Sequence, residues 1–79
     1  MHVNVKLFAN LLTHVADAKV GVPFPVDLSD GATVGDLIRL LKLPADQIKV
    51  TFVNGRSRSD DWRLESGDEI GIFPPIGGG

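Results

Sequence analysis

One short amphipathic helix in the middle of the chain constrains the fold more than any other feature of the sequence. Thr33 is a favourable N-cap residue, and Asp36 stands three positions later, where its side chain can complete a capping box. Apolar residues then recur at the spacing of one helical stripe: Val34, Leu37, Ile38 and Leu41. Pro44 is predicted to end the helix, because proline cannot continue it. A single apolar stripe of this kind needs a sheet to cover it.

Four segments around this helix alternate apolar and polar residues with the period of half-buried strands. Two precede the helix, at 3–8 and 24–28, and two follow it, at 49–53 and 69–73. Asn54 and Gly55 come directly after the third segment and form a strong hairpin signal. The order β-β-α-β-β predicts an α+β domain, a mixed sheet of about four to five strands with one main helix packed across one face.

Three further stretches carry weaker signals. Residues 10–18 have apolar positions at helical spacing and are interpreted as either a short helix or an ordered loop. The polar stretch 56–61 has no hydrophobic period and is predicted to be a loop. Trp62 and Leu64 are expected to return to the core or to its rim.

The composition limits where such a domain works and what it binds. With no cysteine, the chain has no disulfide, no thiolate metal site and no thiol nucleophile. A small domain without disulfides is expected inside the cell, and the polar alternation that starts at His2 leaves no signal peptide, so a cytoplasmic protein is predicted. The net charge of −2 gives no reason to expect nucleic acid, and no apolar run approaches a membrane span.

No catalytic constellation can be found in the sequence. His2 and His14 are too far apart to suggest a metal site and are interpreted as surface residues. Ser57 and Ser59 have no nearby histidine to activate a hydroxyl. The pair at 60–61 lacks a second set of ligands, so metal binding is not expected. We therefore expect a carrier or a non-catalytic subunit that binds no cofactor of its own.

The last residues of the chain are its most unusual feature. Three glycines, Gly77, Gly78 and Gly79, follow two prolines and Ile76, although glycine makes up only about 7% of average sequences. Without a Cβ, a glycine thread can pass through a slot too narrow for other residues, and three residues extend about 10 Å. Pro74 and Pro75 have fixed φ angles and direct the thread away from the domain. We predict a folded domain over 1–76, a flexible tail over 77–79 and one working group, the carboxylate of Gly79.

The same C-terminal residues resemble the signature of the MoaD/ThiS sulfur-carrier family. The resemblance is carried by Gly67-Asp68-Glu69-Ile70 and by the run from Phe73 to Gly79. Three other pieces fall in the right order along the chain: Leu7-Phe8-Ala9, the stretch from Gly31 to Leu37, and Val53-Asn54-Gly55. These proteins are ubiquitin-like β-grasp domains, so the resemblance implies that fold, with the first and last strands side by side.

The resemblance implies that the chemistry takes place on Gly79. An E1-like adenylyltransferase adenylates the terminal carboxylate with ATP, and a persulfide on a sulfur donor protein displaces AMP to leave a thiocarboxylate. The sulfur then goes to a synthase, either through the large subunit of molybdopterin synthase or to thiazole synthase in thiamine formation. The double proline favours the molybdopterin branch, whereas the hairpin that runs into Trp62 is similar to the thiamine branch.

Two other functions stay open because the tail would serve them equally. A protein modifier would be activated in the same way and joined to a lysine of its target through Gly79. A pure interaction module would carry the tail incidentally.

An exposed aromatic patch is expected beside the tail. If the aliphatic residues of the first and last strands face the helix, Phe8 and Phe73 lie together on the open face of the sheet. With Pro74, Pro75 and Ile76 they would form the docking patch for the activating enzyme and the synthase. The alternative is that one or both phenylalanines pack under the 56–61 loop.

The 56–61 loop departs from the molybdopterin branch, which usually has an apolar contact in this region. Arg56 and Arg58 could pair with acidic residues of a partner, although a solvated hairpin is the favoured interpretation. Trp62 is interpreted as the edge of the core rather than as a ligand platform.

Overall fold

Within the described residues the chain forms five strands and one α-helix, which is the predicted order β-β-α-β-β with one further short strand. The computed structural model describes residues 1–8, 11, 15, 19 and 21–75. The elements are β1 (His2–Leu7), β2 (Phe24–Asp27), α1 (Val34–Leu40), a 3₁₀ turn (Ala45–Gln47), β3 (Val50–Val53), β4 (Arg56–Ser57) and β5 (Glu69–Phe73). Most of residues 10–18 lie outside the described residues, so the choice between helix and loop there stays open. Ile76 and the three C-terminal glycines also lie outside them. The boundary predicted at 76 therefore stays a prediction.

The strands form one mixed sheet in the order β2-β1-β5-β3-β4. The first and last strands lie side by side and parallel at its centre, and the other pairs are antiparallel. Val5 stands opposite Ile70, and Leu7 stands opposite Ile72. The adjacency that the family resemblance implied is confirmed.

The sheet face that α1 covers is aliphatic. The side chains of β1 and β5 that share this face are Val3, Val5, Leu7, Ile70 and Ile72, each no more than 1% exposed. They form one cluster with the buried residues of the helix stripe. Each such side chain contributes roughly 1.5–3 kcal/mol relative to an exposed one, so this face is a large contributor to the stability of the domain.

Helix α1 begins at the capping box that the sequence predicts. The Thr33 hydroxyl accepts a hydrogen bond from the backbone N–H of Asp36 at 3.2 Å, and the Asp36 carboxylate accepts one from the backbone N–H of Thr33 at 2.9 Å. The bond from Thr33 is the main reason that the pKa of Asp36 is lowered from its ordinary value of 3.8, and the Arg39 guanidinium lowers it further.

The helix ends earlier than Pro44, so that prediction is wrong. Lys42 adopts a left-handed φ of 57° and reverses the chain. The N–H of Lys42 donates to the carbonyl of Arg39 at 3.0 Å, and the N–H of Leu43 donates to that of Ile38 at 3.1 Å. This pair of bonds is a Schellman motif, in which buried Leu43 accompanies buried Ile38.

The hairpin after β3 is confirmed, but the predicted loop at 56–61 is only partly correct. Asn54 and Gly55 have φ angles of 52° and 84°, as a tight two-residue turn requires. Arg56 and Ser57 then pair with Val53 and Phe52 as the edge strand β4. Both β4 residues are polar and exposed, so this strand lacks the apolar alternation that predicts a strand from sequence.

Candidate functional site

Three phenylalanines form a cluster on the face of the sheet that α1 leaves open. The rings of Phe8 and Phe73 are stacked, with centroids 4.2 Å apart and an interplanar angle of 8°. Phe52 meets Phe73 edge-on at 5.6 Å. All three side chains are half-buried, so they pack against one another and still present apolar surface to solvent. We call Phe8, Phe52 and Phe73 the open-face aromatic cluster.

Strand alternation and register bring these rings together. Ile70 and Ile72 point toward the helix, so Gly71 and Phe73 belong to the opposite face. Gly71 stands opposite Phe52 on one side and Lys6 on the other. A Cβ at Gly71 would lie 3.2 Å from Cε1 of Phe73 and 3.9 Å from Cε2 of Phe8. The glycine therefore leaves room for the two rings to lie over the central strand.

A shallow groove of about 450 Å³ runs over this cluster. Lys6 and Glu69 contribute one cation and one carboxylate to its lining, beside the three rings. An apolar centre with a charged margin is the arrangement that protein interfaces use, because the centre supplies affinity and the margin supplies register.

The chain leaves the sheet beside this cluster. The last backbone anchor of β5 is the Phe73 carbonyl, which accepts a hydrogen bond from the N–H of Lys49 at 2.8 Å. Pro74 is half-buried and Pro75 is exposed. The predicted roles of Ile76, Gly77, Gly78 and Gly79 fall outside the described residues and stay predictions.

The structure brings Phe8 and Phe73 together as the sequence predicts. The two rings stack on each other, and Phe73 also meets Phe52 edge-on, so their aromatic partners are not residues of the 56–61 stretch. That they act in docking stays a prediction. Phe52 was missed, although a signal was present: Val53 is apolar and faces the core, so its neighbour in a strand must face the other way.

Of the remaining candidates, Ser57 stands opposite Phe52 at the margin of the cluster, and the others lie elsewhere or have other partners. His2 is exposed and pairs with Asp27 across β1 and β2, whereas His14 is outside the described residues. The Ser59 hydroxyl donates to Asp61. In the part of the chain that the structure describes, no group of three or more histidine, aspartate or glutamate side chains could hold a metal. None of the helices in that part is long and apolar enough to cross a membrane.

Leu64 and Trp62 differ in burial at the rim of the core. Leu64 is 3% exposed and belongs to the core cluster, whereas Trp62 is 41% exposed. The Arg58 guanidinium carbon lies 3.9 Å from the centroid of the Trp62 ring. The expected return to the core is therefore confirmed for Leu64, and Trp62 packs against a cation outside it.

Comparison with known proteins agrees with the fold. The sequence model of the ThiS family matches residues 5–79. A protein of Pyrococcus furiosus assigned as molybdopterin converting factor, subunit 1, is 30% identical with a TM-score of 0.75, over 96% of this chain and 99% of that one. Small archaeal modifier protein 1 of Haloferax volcanii is 30% identical with a TM-score of 0.75, over 95% and 98% of the two chains.

Two other similarities say less about this chain. A chain in the complex of subunits 1 and 2 of molybdopterin-converting factor from Helicobacter pylori is 19% identical with a TM-score of 0.65, over 100% of both chains, which shows a shared fold alone. Over 59 residues, 75% of the chain, the sequence is 41% identical to Lon protease of Haemophilus influenzae, and it spans only 7% of that protease. The fold is a ubiquitin-like β-grasp, as the resemblance implied.

Proposed function

This chain belongs to the ThiS family, and we propose that it is a sulfur carrier whose reacting group is the carboxylate of Gly79. One observation supports this most: the family match runs to Gly79, and the central strand of the sheet leads past the open-face aromatic cluster into the glycine tail. In the proposed arrangement the partner protein binds the folded domain, and the tail enters that partner's active site.

The chemistry explains why a carrier of this kind needs a partner. A carboxylate is a poor electrophile, so an E1-like adenylyltransferase joins it to the AMP part of ATP and releases pyrophosphate. A persulfide of the sulfur donor protein attacks the acyl carbon and expels AMP, and a thiol then cleaves the acyl disulfide to leave the thiocarboxylate. The groups that stabilise charge in these steps come from the partners. The chain itself binds no cofactor in this proposal, and because the partners need ATP and thiols, we expect it to act in the cytoplasm.

The open-face aromatic cluster is the proposed docking patch. Aromatic rings that pack on one another and stay partly exposed provide the kind of anchor on which protein association usually depends. Pro74, Pro75 and Ile76 continue this patch toward the tail. The similar P. furiosus protein is assigned as subunit 1 of molybdopterin converting factor, which supports a synthase large subunit as one partner, and the E1-like enzyme would use the same face. Since both need the tail, they would bind in turn.

Molybdopterin synthesis is the proposed client pathway. The similarity to the P. furiosus protein supports it, as does the double proline before the tail. A thiamine-type carrier differs only in the client, since the activation is the same. A lysine-directed modifier is the second candidate, because small archaeal modifier protein 1 of H. volcanii is equally similar in sequence and in fold.

Intact-mass analysis separates these functions. The protein is incubated with an E1-like enzyme, ATP and a persulfide donor, and a matched sample contains a variant that lacks Gly79. A mass gain equal to exchanging one oxygen for sulfur, seen only with the full tail, supports the carrier. Conjugates of higher mass, joined to lysine through Gly79, indicate the modifier. An unchanged mass with each candidate enzyme would overturn both and leave an interaction module.

A further inference from the structure

A second surface, unrelated to the tail, gathers three of the four arginines of the chain around its single tryptophan. Arg56, Arg58, Arg63 and Trp62 line a groove of about 260 Å³, together with Glu65 and Asp68 among others. We call these three arginines and the indole the Arg-Trp surface. Arg56 stands opposite Val53, which faces the helix, so this surface lies on the other side of the sheet from the aromatic cluster.

The Arg58 guanidinium lies over the Trp62 ring. Its carbon lies 3.9 Å from the centroid of the Trp62 ring, within cation–π range. Its Nε is buried and has no acceptor among the described residues. The indole beneath it is 41% exposed. The geometry leaves a partly exposed cation over a partly exposed indole.

The loop that carries this pair is anchored by its backbone. The carbonyls of Trp62 and Asp60 accept hydrogen bonds from the first N–H groups of α1, on Val34 at 3.0 Å and on Gly35 at 2.8 Å. The N–H of Arg58 donates to the carbonyl of Thr51 at 2.9 Å. A loop fixed in this way loses little conformational entropy when a partner binds.

Nearby carboxylates do not neutralise these arginines. Asp68 accepts hydrogen bonds from the Asn54 side-chain amide at 2.9 Å and from the Glu65 N–H at 2.7 Å. Among the described residues, Arg39 on the helix is ion-paired with Asp36, whereas none of the three arginines of the Arg-Trp surface has a carboxylate oxygen within ion-pair distance.

We propose that the Arg-Trp surface binds a carboxylate of a protein partner, on a glutamate or aspartate that an apolar residue adjoins. A guanidinium matches a carboxylate in geometry, and an exposed indole can cover the apolar neighbour. Arginine and tryptophan are also the residue types that dominate interface energetics. Glu65 and the overall charge of −2 work against the phosphates of a nucleic acid. The proposal does not rest on the chemistry proposed for Gly79.

Trp62 fluorescence tests this directly, because no other tryptophan contributes to the signal. The protein is titrated with a capped peptide of glutamate and leucine and with a matched peptide in which glutamine replaces glutamate. We expect a saturable change with the acidic peptide only, and a Kd at least tenfold weaker for Arg58→Gln. Isothermal titration calorimetry gives the same Kd without relying on the indole.

Arg39→Gln is the matched control, since it removes the same charge from an arginine that is already paired, and it should leave the Kd unchanged. Thermal unfolding confirms that each variant is folded. No saturable response to the acidic peptide would refute the proposal, as would equal binding of the glutamine peptide or an unchanged Kd in Arg58→Gln. Inorganic phosphate that saturates the same signal as tightly would also refute it and assign the surface to phosphate.

Discussion

The two faces of the central sheet differ in the kind of apolar residue they carry and in how far they are closed. The face toward α1 is aliphatic and covered, with Val5, Leu7 and Ile72 fully buried. The open face has larger rings, Phe8 and Phe73, which stay partly exposed although they stack on each other. The first face needs nothing beyond the domain to be complete. The second retains apolar surface that the described residues leave uncovered.

This difference separates stability from function. A substitution on the covered face should lower the free energy of unfolding, and any loss of function should follow from that. A substitution on the open face should cost less stability and more partner affinity. The predictions below test this separation.

Ile72→Ala should have the largest effect on stability. The side chain is fully buried at the centre of the core, so truncation leaves a cavity and should cost about 2–5 kcal/mol in the free energy of unfolding. Urea denaturation measures this loss. A cost well below 1 kcal/mol would mean that the covered face does not hold the fold together.

Phe73→Ala should lower the stability less than Ile72→Ala does and should lower partner affinity more. It removes two ring contacts, worth about 1–3 kcal/mol together, and the centre of the proposed docking patch. Affinity for the activating enzyme, measured by calorimetry, should fall at least tenfold.

Phe24→Ala is the matched control for Phe73→Ala. Phe24 is also half-buried, but it packs against the core cluster on the covered side of the sheet. We expect a similar loss of stability with unchanged affinity for the enzyme. Equal loss of affinity in both variants would contradict the division between the two faces.

Thr33→Ala should cost about 1 kcal/mol in the free energy of unfolding, because it removes the side-chain oxygen that caps α1. Affinity for the activating enzyme should not change, because the cap lies on the opposite side of the sheet from the open-face aromatic cluster. Replacing Thr33 by serine keeps the oxygen and should restore most of the stability.

Asp36→Asn should have the smallest effect, and that effect should depend on pH. Because the pKa of Asp36 is lowered in the folded state, the carboxylate stabilises the fold above its ordinary value of 3.8. This contribution is lost as the pH falls through the lowered pKa. The variant should therefore be less stable than the original protein at pH 7, and the difference should shrink as the pH falls below 3.8. A difference in melting temperature that persists undiminished at low pH would assign the effect to another cause.

Local signals made much of the covered face predictable. The capping box at Thr33 and Asp36 fixes the helix start through two residues that are close in sequence. The end of the helix was not predictable, because Lys42 takes the left-handed position that glycine usually occupies. Strand β4 was not predictable for a related reason. Its two residues are polar and exposed, and they pair with β3 only because of the turn before them.

The open face was predictable in part. Phe8 and Phe73 follow from strand alternation once β1 and β5 are neighbours, and that adjacency came from the family resemblance. Phe52 joins them only through the register of β3 against β5, which sets it opposite Gly71. The stacking of Arg58 on Trp62 depends on how the loop folds onto the helix N-terminus, which no local pattern encodes.

The central claim is that the body of the protein presents the carboxylate of Gly79 to another enzyme. Its most direct test is a variant with one alanine added after Gly79, incubated with the E1-like enzyme, ATP and the persulfide donor and analysed by intact mass. We predict no gain of sulfur and an unchanged melting temperature, because the added residue moves the carboxylate out of reach and touches nothing in the fold. Sulfur gain at the rate of the original protein would contradict this account.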